Sequence, residues 1–311
     1  MDNPMIRAMA RQRLKSVPYS VRKLTLFYVG ATMLLNILLT GVNFLLNREI
    51  STAGGVDGLN IRTTLTVVQL VLMLVVTLVT PFWNLGYTGV AMRTARNRES
   101  EPGDLLDGFY MIFPALRLFL CLFAVMMIVC IGATQGATML YSLTPMYENS
   151  MADLQALLES TAGMDGAVVM DEATAMEILK ELWPVYLLAA MAAIGALVIL
   201  FYRLRLAEFQ LVDGETGAIR NLLTSNRKMK GKCMAFFRLD LSFWWYFLLQ
   251  AVAVAVAYGD LLIPGDIAFW GFYLGSCALQ VLIAALFMPR VATTYALAYD
   301  EVTKEQEKQT C

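Results

Sequence analysis

The chain has 311 residues, 58% of them apolar and 16% charged, with a formal net charge of -1. Soluble domains carry about 25% charged residues, so this composition excludes an ordinary soluble fold and suits a bilayer. The near-zero balance gives no reason to expect a nucleic-acid partner. The absence of histidine excludes imidazole bases, Ser-His-Asp and Cys-His nucleophiles, and imidazole zinc sites.

In chain order, residues 1–23 form a basic N-terminus in which Met5–Val17 reads as an amphipathic helix. The apolar run 24–46 is too long for the core of a signal peptide and no A-x-A site follows it, so it reads as an uncleaved first span. Further spans are predicted at 65–85 (extending towards Met92), 111–141, 182–204, 243–262 and 267–288, the last with an amphipathic continuation to about Tyr299 and a tail at 300–311. Each supplies roughly the 20 apolar residues that a spanning helix needs. Their uncharged cores predict helices rather than barrel strands, which would alternate in short segments. The expected fold is therefore all-α, an integral membrane bundle of six transmembrane helices.

Lys and Arg placement orients the bundle. Of 24 such residues, 20 fall in the N-terminus, the loop after the second span, the end of the fourth span from Arg203 with the loop 205–242, and the segment after the sixth span. The positive-inside bias then puts both termini in the cytoplasm, as an even number of spans requires. On the opposite side lies an acidic segment, 142–181, with eight carboxylates and one lysine. A helix start at Ser150 and Asp153 would place Met151, Leu154, Leu157 and Leu158 on one face. The link Thr161–Gly166 would separate it from a helix beginning near Asp171 and running into the fourth span.

Inside the spans, Gly132 and Gly136, and again Gly271 and Gly275, have the GxxxG spacing that lets helices approach closely. Packing within the bundle is the expected use, with homodimerisation or a membrane-protein partner as the alternative. Asn36, Gln69, Gln135, Gln250 and Gln280 are placed to bond between helices or, in a transporter, to line a substrate path. Mid-span carboxylates are lacking, which removes the usual proton relay or sodium site. The five cysteines, Cys121, Cys130, Cys233, Cys277 and Cys311, contain no CxxC pair and read as packing residues or idle thiols. No P-loop, GxGxxG, GxSxG or metal-ligand cluster occurs, so no cofactor and no enzymatic activity are expected.

The loop 205–242 is the most distinctive stretch. Ala218–Met229 reads as an amphipathic helix, with Ile219, Leu222 and Leu223 as its apolar stripe, and the turn Met229-Lys230-Gly231-Lys232 follows. Arg220, Arg227, Lys228, Lys230 and Lys232 are the candidate ligands for anionic lipid or for a protein partner. A loop that only sets topology and rests on the interface is the competing reading.

The same stretch carries a resemblance. Tyr202, Asp213, Ala218-Ile219, Ser225, Met229-Lys230-Gly231, and then Phe237, Leu239, Leu241-Ser242-Phe243 and Trp244 or Trp245 resemble the hallmark of the bacterial membrane family called domain of unknown function 975. Arg7-Ala8 through Leu14-Lys15 is similar to the opening helix of that family, and Gly86-Tyr87 is a shorter match. The turn Asp213-Gly214-Glu215 departs from the Asp-x-Pro often found there, and the acidic outer segment is longer than expected. The resemblance implies a multi-span protein of the bacterial cytoplasmic membrane and no known reaction. The resulting expectation is a non-enzymatic membrane factor that engages anionic lipid or a partner through its basic loop. The alternative is a small transporter or transporter subunit.

Overall fold

In a computed structural model the chain is helical, and no strand occurs among the described residues. Those residues are 3–16, 21–52, 55–144, 147–148, 151–152, 155, 172–214, 217–261, 263 and 265–310. The Ser150–Asp153 start, the face containing Leu154, Leu157 and Leu158, the link Thr161–Gly166 and Asp171 fall outside them. Contacts divide the chain into two units, Met1–Leu118 with Leu206–Cys311, and Phe119–Arg205.

The first unit opens with α1 (Asn3–Ser16), α2 (Val21–Thr52) and α3 (Gly55–Ala95). A 3-10 turn (Pro102–Leu106) and the one-turn helix α4 (Asp107–Tyr110) lead to the start of α5 (Ile112–Ser142). The second unit contains the rest of α5 together with α6 (Glu172–Leu204). At its end the Arg205 guanidinium lies 5.4 Å from the Phe201 ring centre and 5.9 Å from that of Tyr202, within cation–π range. The chain then returns to the first unit as α7 (Ala207–Val212), α8 (Ala218–Met229), α9 (Cys233–Leu241), α10 (Trp244–Ala257) and α11 (Asp266–Thr310).

Among the described residues five segments are long and apolar enough to cross a bilayer, Val21–Leu46, Thr63–Ala95, Ile112–Ser142, Trp183–Val212 and Asp266–Glu305, and the bent pair Cys233–Leu241 with Trp244–Ala257 makes a sixth if it is one span. The chain is thus an all-α, multi-pass membrane protein. Its outward leucines, such as Leu34, Leu38, Leu70 and Leu74, are exposed, as suits side chains whose solvent is lipid.

The fifth expected span, 243–262, is shorter as a helix than predicted. α10 has 14 residues, about 21 Å of rise against a hydrocarbon core of about 30 Å. It bends by 63° from α9. Ser242 breaks the helix there, its Oγ donating to the Leu239 carbonyl at 2.6 Å. α10 nevertheless runs alongside the apolar half of α11. Ser276 Oγ donates to the Ala253 carbonyl at 2.7 Å, and the Tyr246 and Phe287 rings meet at 6.2 Å. A 3-10 turn at Gly259–Leu261 follows α10.

α11 is the axis of the first unit. Its 45 residues rise about 67 Å, twice the hydrocarbon thickness. The expected tail from residue 300 is therefore a continuation of this helix through Thr310. α2, α3 and the apolar half of α11 share a core containing Leu24, Tyr28, Tyr87, Val90, Leu105 and Ala284. Tyr28 stacks on Tyr87 with ring centres 4.8 Å apart, and the Tyr87 and Thr25 hydroxyls bond at 2.9 Å. A close approach fixes this corner: a Cβ at Gly86 would strike the Leu105 carbonyl, and one at Gly108 the Phe82 carbonyl.

Candidate lipid interface and its polar anchor

Four segments remote in sequence meet at one end of the first unit, beyond the apolar stretches of α3 and α11. Asn3 Nδ2 donates to the Ala235 carbonyl at 3.0 Å, joining α1 to α9. Ser16 Oγ donates to Asn97 Oδ1 at 2.8 Å, joining α1 to the turn after α3. The projecting half of α11 lies against α8 and α9. These are the segments whose lysines and arginines carried the charge bias in the sequence.

Arg96 is the hub. It holds Asp213 at 2.6 Å and Asp300 at 2.8 Å, clamping the end of α7 to α11. Hydrogen bonds from Arg96 to Asp300 and then Asp213 push the guanidinium pKa up. Burial pushes the Asp213 carboxyl up, but the bond and charge of Arg96 outweigh it and hold the group below the ordinary carboxylate value. Tyr299 Oη donates to Asp213 Oδ2 at 3.2 Å, and Phe209 stacks on Tyr299 at 5.5 Å. Three residues before Arg96, in the last turn of α3, Arg93 is bound by both Asp104 and Asp107. A cleft of about 250 Å³ among Arg93, Arg96, Arg98, Asp107 and Asp213 is consequently rich in charge but largely neutralised.

α8 sits on this cluster with its polar side inward. Asn221, Leu222, Ser225, Lys228 and Met229 are buried, whereas Ile219 and Leu223 are 67% and 60% exposed. Only Leu222 of the expected apolar stripe faces the protein. Ser225 Oγ accepts the Leu206 N–H at 3.2 Å, and Lys228 reaches α11. The polar side of α8 thus bonds the start of α7 through Ser225 and α11 through Lys228, which leaves Ile219 and Leu223 facing outward. Gly231, at φ +78°, makes the turn into α9 in a conformation that costs other residues energy.

The five candidate cations separate accordingly. Arg220, Arg227 and Lys230 are exposed. Lys228 is buried, donates to Thr303 Oγ1 at 3.2 Å and lies 5.3 Å from the Tyr299 ring centre. Lys232 pairs with Glu305 at 2.5 Å. Both lysines thus contact α11: Lys228 shares the buried face of Ser225 on α8, and Lys232 reaches Glu305 from the turn after Gly231. Sequence reasoning missed their partners Tyr299, Thr303 and Glu305, and Asp300 as a partner of Arg96. Tyr295, Tyr299 and Thr303 recur every four residues, so extending the periodicity of α11 past Tyr299 would have found this face.

A Cβ placed on Gly132, Gly136, Gly271 or Gly275 meets no heavy atom within 4 Å among the described residues. Some amides do act between or along helices. Gln280 Nε2 donates to Ser276 Oγ at 3.0 Å, and Ser276 in turn bonds α10. An apolar groove of about 530 Å³ between α2 and α11, lined by Met33, Leu34, Ala278 and Leu282 among others, includes none of Gln69, Gln250 and Gln280.

Comparison with protein-family models, with curated proteins and with solved structures returns no match. The functional reading therefore stands on this geometry.

Proposed function

We propose that the protein is a non-enzymatic, multi-pass factor of the bacterial cytoplasmic membrane, with both termini in the cytoplasm, that engages anionic lipid through α8 and α9. One observation carries this reading. The two helices leave Ile219, Leu223, Met234, Phe237 and Leu241 exposed next to the exposed cations Arg220, Arg227, Lys230 and Arg238. In water those apolar side chains would be a liability. At a membrane surface they enter the acyl boundary while the cations meet phosphate. The bacterial setting and the cytoplasmic side rest on the charge bias and on the Tyr202–Leu249 resemblance to the domain of unknown function 975 family. Gly231, a member of that motif, occupies a left-handed turn that favours glycine.

The test uses the full chain in nanodiscs, with its native cysteines replaced by serine and a polarity-sensitive fluorophore on a cysteine at Leu223. The expected result is an apolar environment that deepens in anionic lipid and weakens with salt. The charge dependence should disappear in an Arg220→Gln, Arg227→Gln, Lys230→Gln variant. A fluorophore reporting bulk water in both lipids would overturn the reading.

A further inference from the structure

A second group of cations at the same end has a different character. α1 packs mainly against α11, and its Ile6 and Ala10 are buried, 1% and 0% exposed. That docking fixes the rotation of α1 about its axis. Arg7 and Arg11 are neighbours at i, i+4 on this helix, and the charges of both act on Arg290 of α11. Three guanidiniums of like sign thus gather where two helices pack.

Among the described residues no carboxylate balances them. No ion pair among the described residues includes Arg7, Arg11 or Arg290; Asp104, Asp107, Asp213, Asp300 and Glu305 pair with Arg93, Arg96 and Lys232. The Nε–H groups of Arg7 and Arg290 are buried and have no acceptor among the described residues. A buried, ionised donor without an acceptor is strongly unfavourable, and mutual repulsion adds to that. An anion placed between the three side chains removes both penalties. The fork of a guanidinium matches a phosphate group, whose oxygens can accept two parallel hydrogen bonds.

Position narrows the source of the phosphate. Arg290 follows Pro289 directly after the apolar run that ends at Met288, which is the depth of lipid headgroups. Arg13, Lys15, Arg22 and Lys23 nearby in sequence raise the local potential for an anionic leaflet.

We propose that Arg7, Arg11 and Arg290 form a discrete phosphate-binding site, occupied by the headgroup of an anionic phospholipid. The site is separate from the outward face of α8 and does not depend on the function proposed for it.

The experiment follows the melting midpoint of the full-length protein in neutral detergent, titrated with phosphatidylglycerol, phosphatidylcholine or inorganic phosphate. Phosphatidylglycerol should raise the midpoint and phosphatidylcholine should not. Arg7→Gln and Arg290→Gln should each raise the phosphatidylglycerol concentration needed by roughly tenfold, the scale of one charge-assisted hydrogen bond. Arg11→Gln, at an exposed position, should weaken the response and also raise the midpoint in the absence of lipid, because it relieves repulsion. A purely structural arginine would lower it. That variant carries the test should the Arg290 substitution fail to fold. Inorganic phosphate that reproduces the full response would identify a free anion as the ligand of the same site. Wild-type half-saturation retained in all three variants would overturn the proposal. So would loss of the response in the α8 triple variant with retention in Arg11→Gln.

Discussion

Two groups of arginines stand at the same end of the first unit and differ in how their charge is met. Arg93 and Arg96 are each bound by two carboxylates, Asp104 with Asp107 and Asp213 with Asp300. Arg7, Arg11 and Arg290 have no carboxylate among the described residues and keep two buried Nε–H groups unpaired. The first group is a clamp, complete within the protein, and removing a member leaves charges stranded. The second is complete only with an anion from outside. A Lys and Arg count along the chain adds both groups to one total, although they do opposite things to stability.

The clamp gives the largest predicted effect. Arg96→Met should destabilise the protein by about 2 kcal/mol, since it strands Asp213 and Asp300, with the usual buried-pair penalty reduced by their partial exposure. A melting midpoint in detergent checks it. An Arg96→Met loss no larger than that of Arg98→Met, at an exposed position, would erase the distinction between the two groups.

Asp213→Asn should cost less, about 1 kcal/mol at neutral pH after solvent screening. The sign with pH follows from the depressed folded pKa of Asp213. Its contribution is fully present above the unfolded carboxylate value, near pH 4, and is lost as pH falls through the lower folded value. The melting difference between wild type and Asp213→Asn should therefore shrink below about pH 4. A difference that stays constant from neutral to acid pH would mean that the Asp213 charge is not what joins α7 to α11. Gly231→Ala, which forces a side chain into the left-handed turn between α8 and α9, should also cost about 1 kcal/mol. It leaves both arginine groups intact, so it should lower stability without changing the response to phosphatidylglycerol.

Much of this architecture was legible in the sequence because bilayer thickness and backbone hydrogen bonding restrict a spanning segment to a long apolar helix. The apolar runs accordingly become helices, and the Ala218–Met229 helix has the expected ends. What the sequence does not show has a common cause. Which face of α8 turns inward depends on Asp213, Tyr299 and Thr303, which lie up to 85 residues away in the chain and exert no local periodic signal on α8. Likewise Gly132 and Gly271 have the spacing of a helix contact, but spacing does not supply the opposing helix. Gly86 and Gly108, by contrast, are required by a crossing although they share no GxxxG motif. The site at Arg290 was hidden for the same reason. Its partners are on α1, at the far end of the chain, and the arginine alone reads as one that extends to the interface.

The smallest predicted effect concerns the boundary between anchor and ligand. Lys232 and Glu305 form a partly exposed pair, with side chains 24% and 41% exposed, so Glu305→Gln should cost no more than about 0.5 kcal/mol. Its consequence for lipid should run the other way. Without that carboxylate, Lys232 can turn from α11 towards the membrane surface, where one lysine adds about 1 kcal/mol of attraction to an anionic leaflet. Glu305→Gln should therefore deepen the Leu223 fluorophore in anionic nanodiscs relative to neutral ones, and Lys232→Gln on that background should abolish the gain. If the single substitution leaves the fluorophore unchanged, Lys232 is held inward by packing rather than by its charge. The basic loop would then contribute to lipid binding only through the three cations that already face outward.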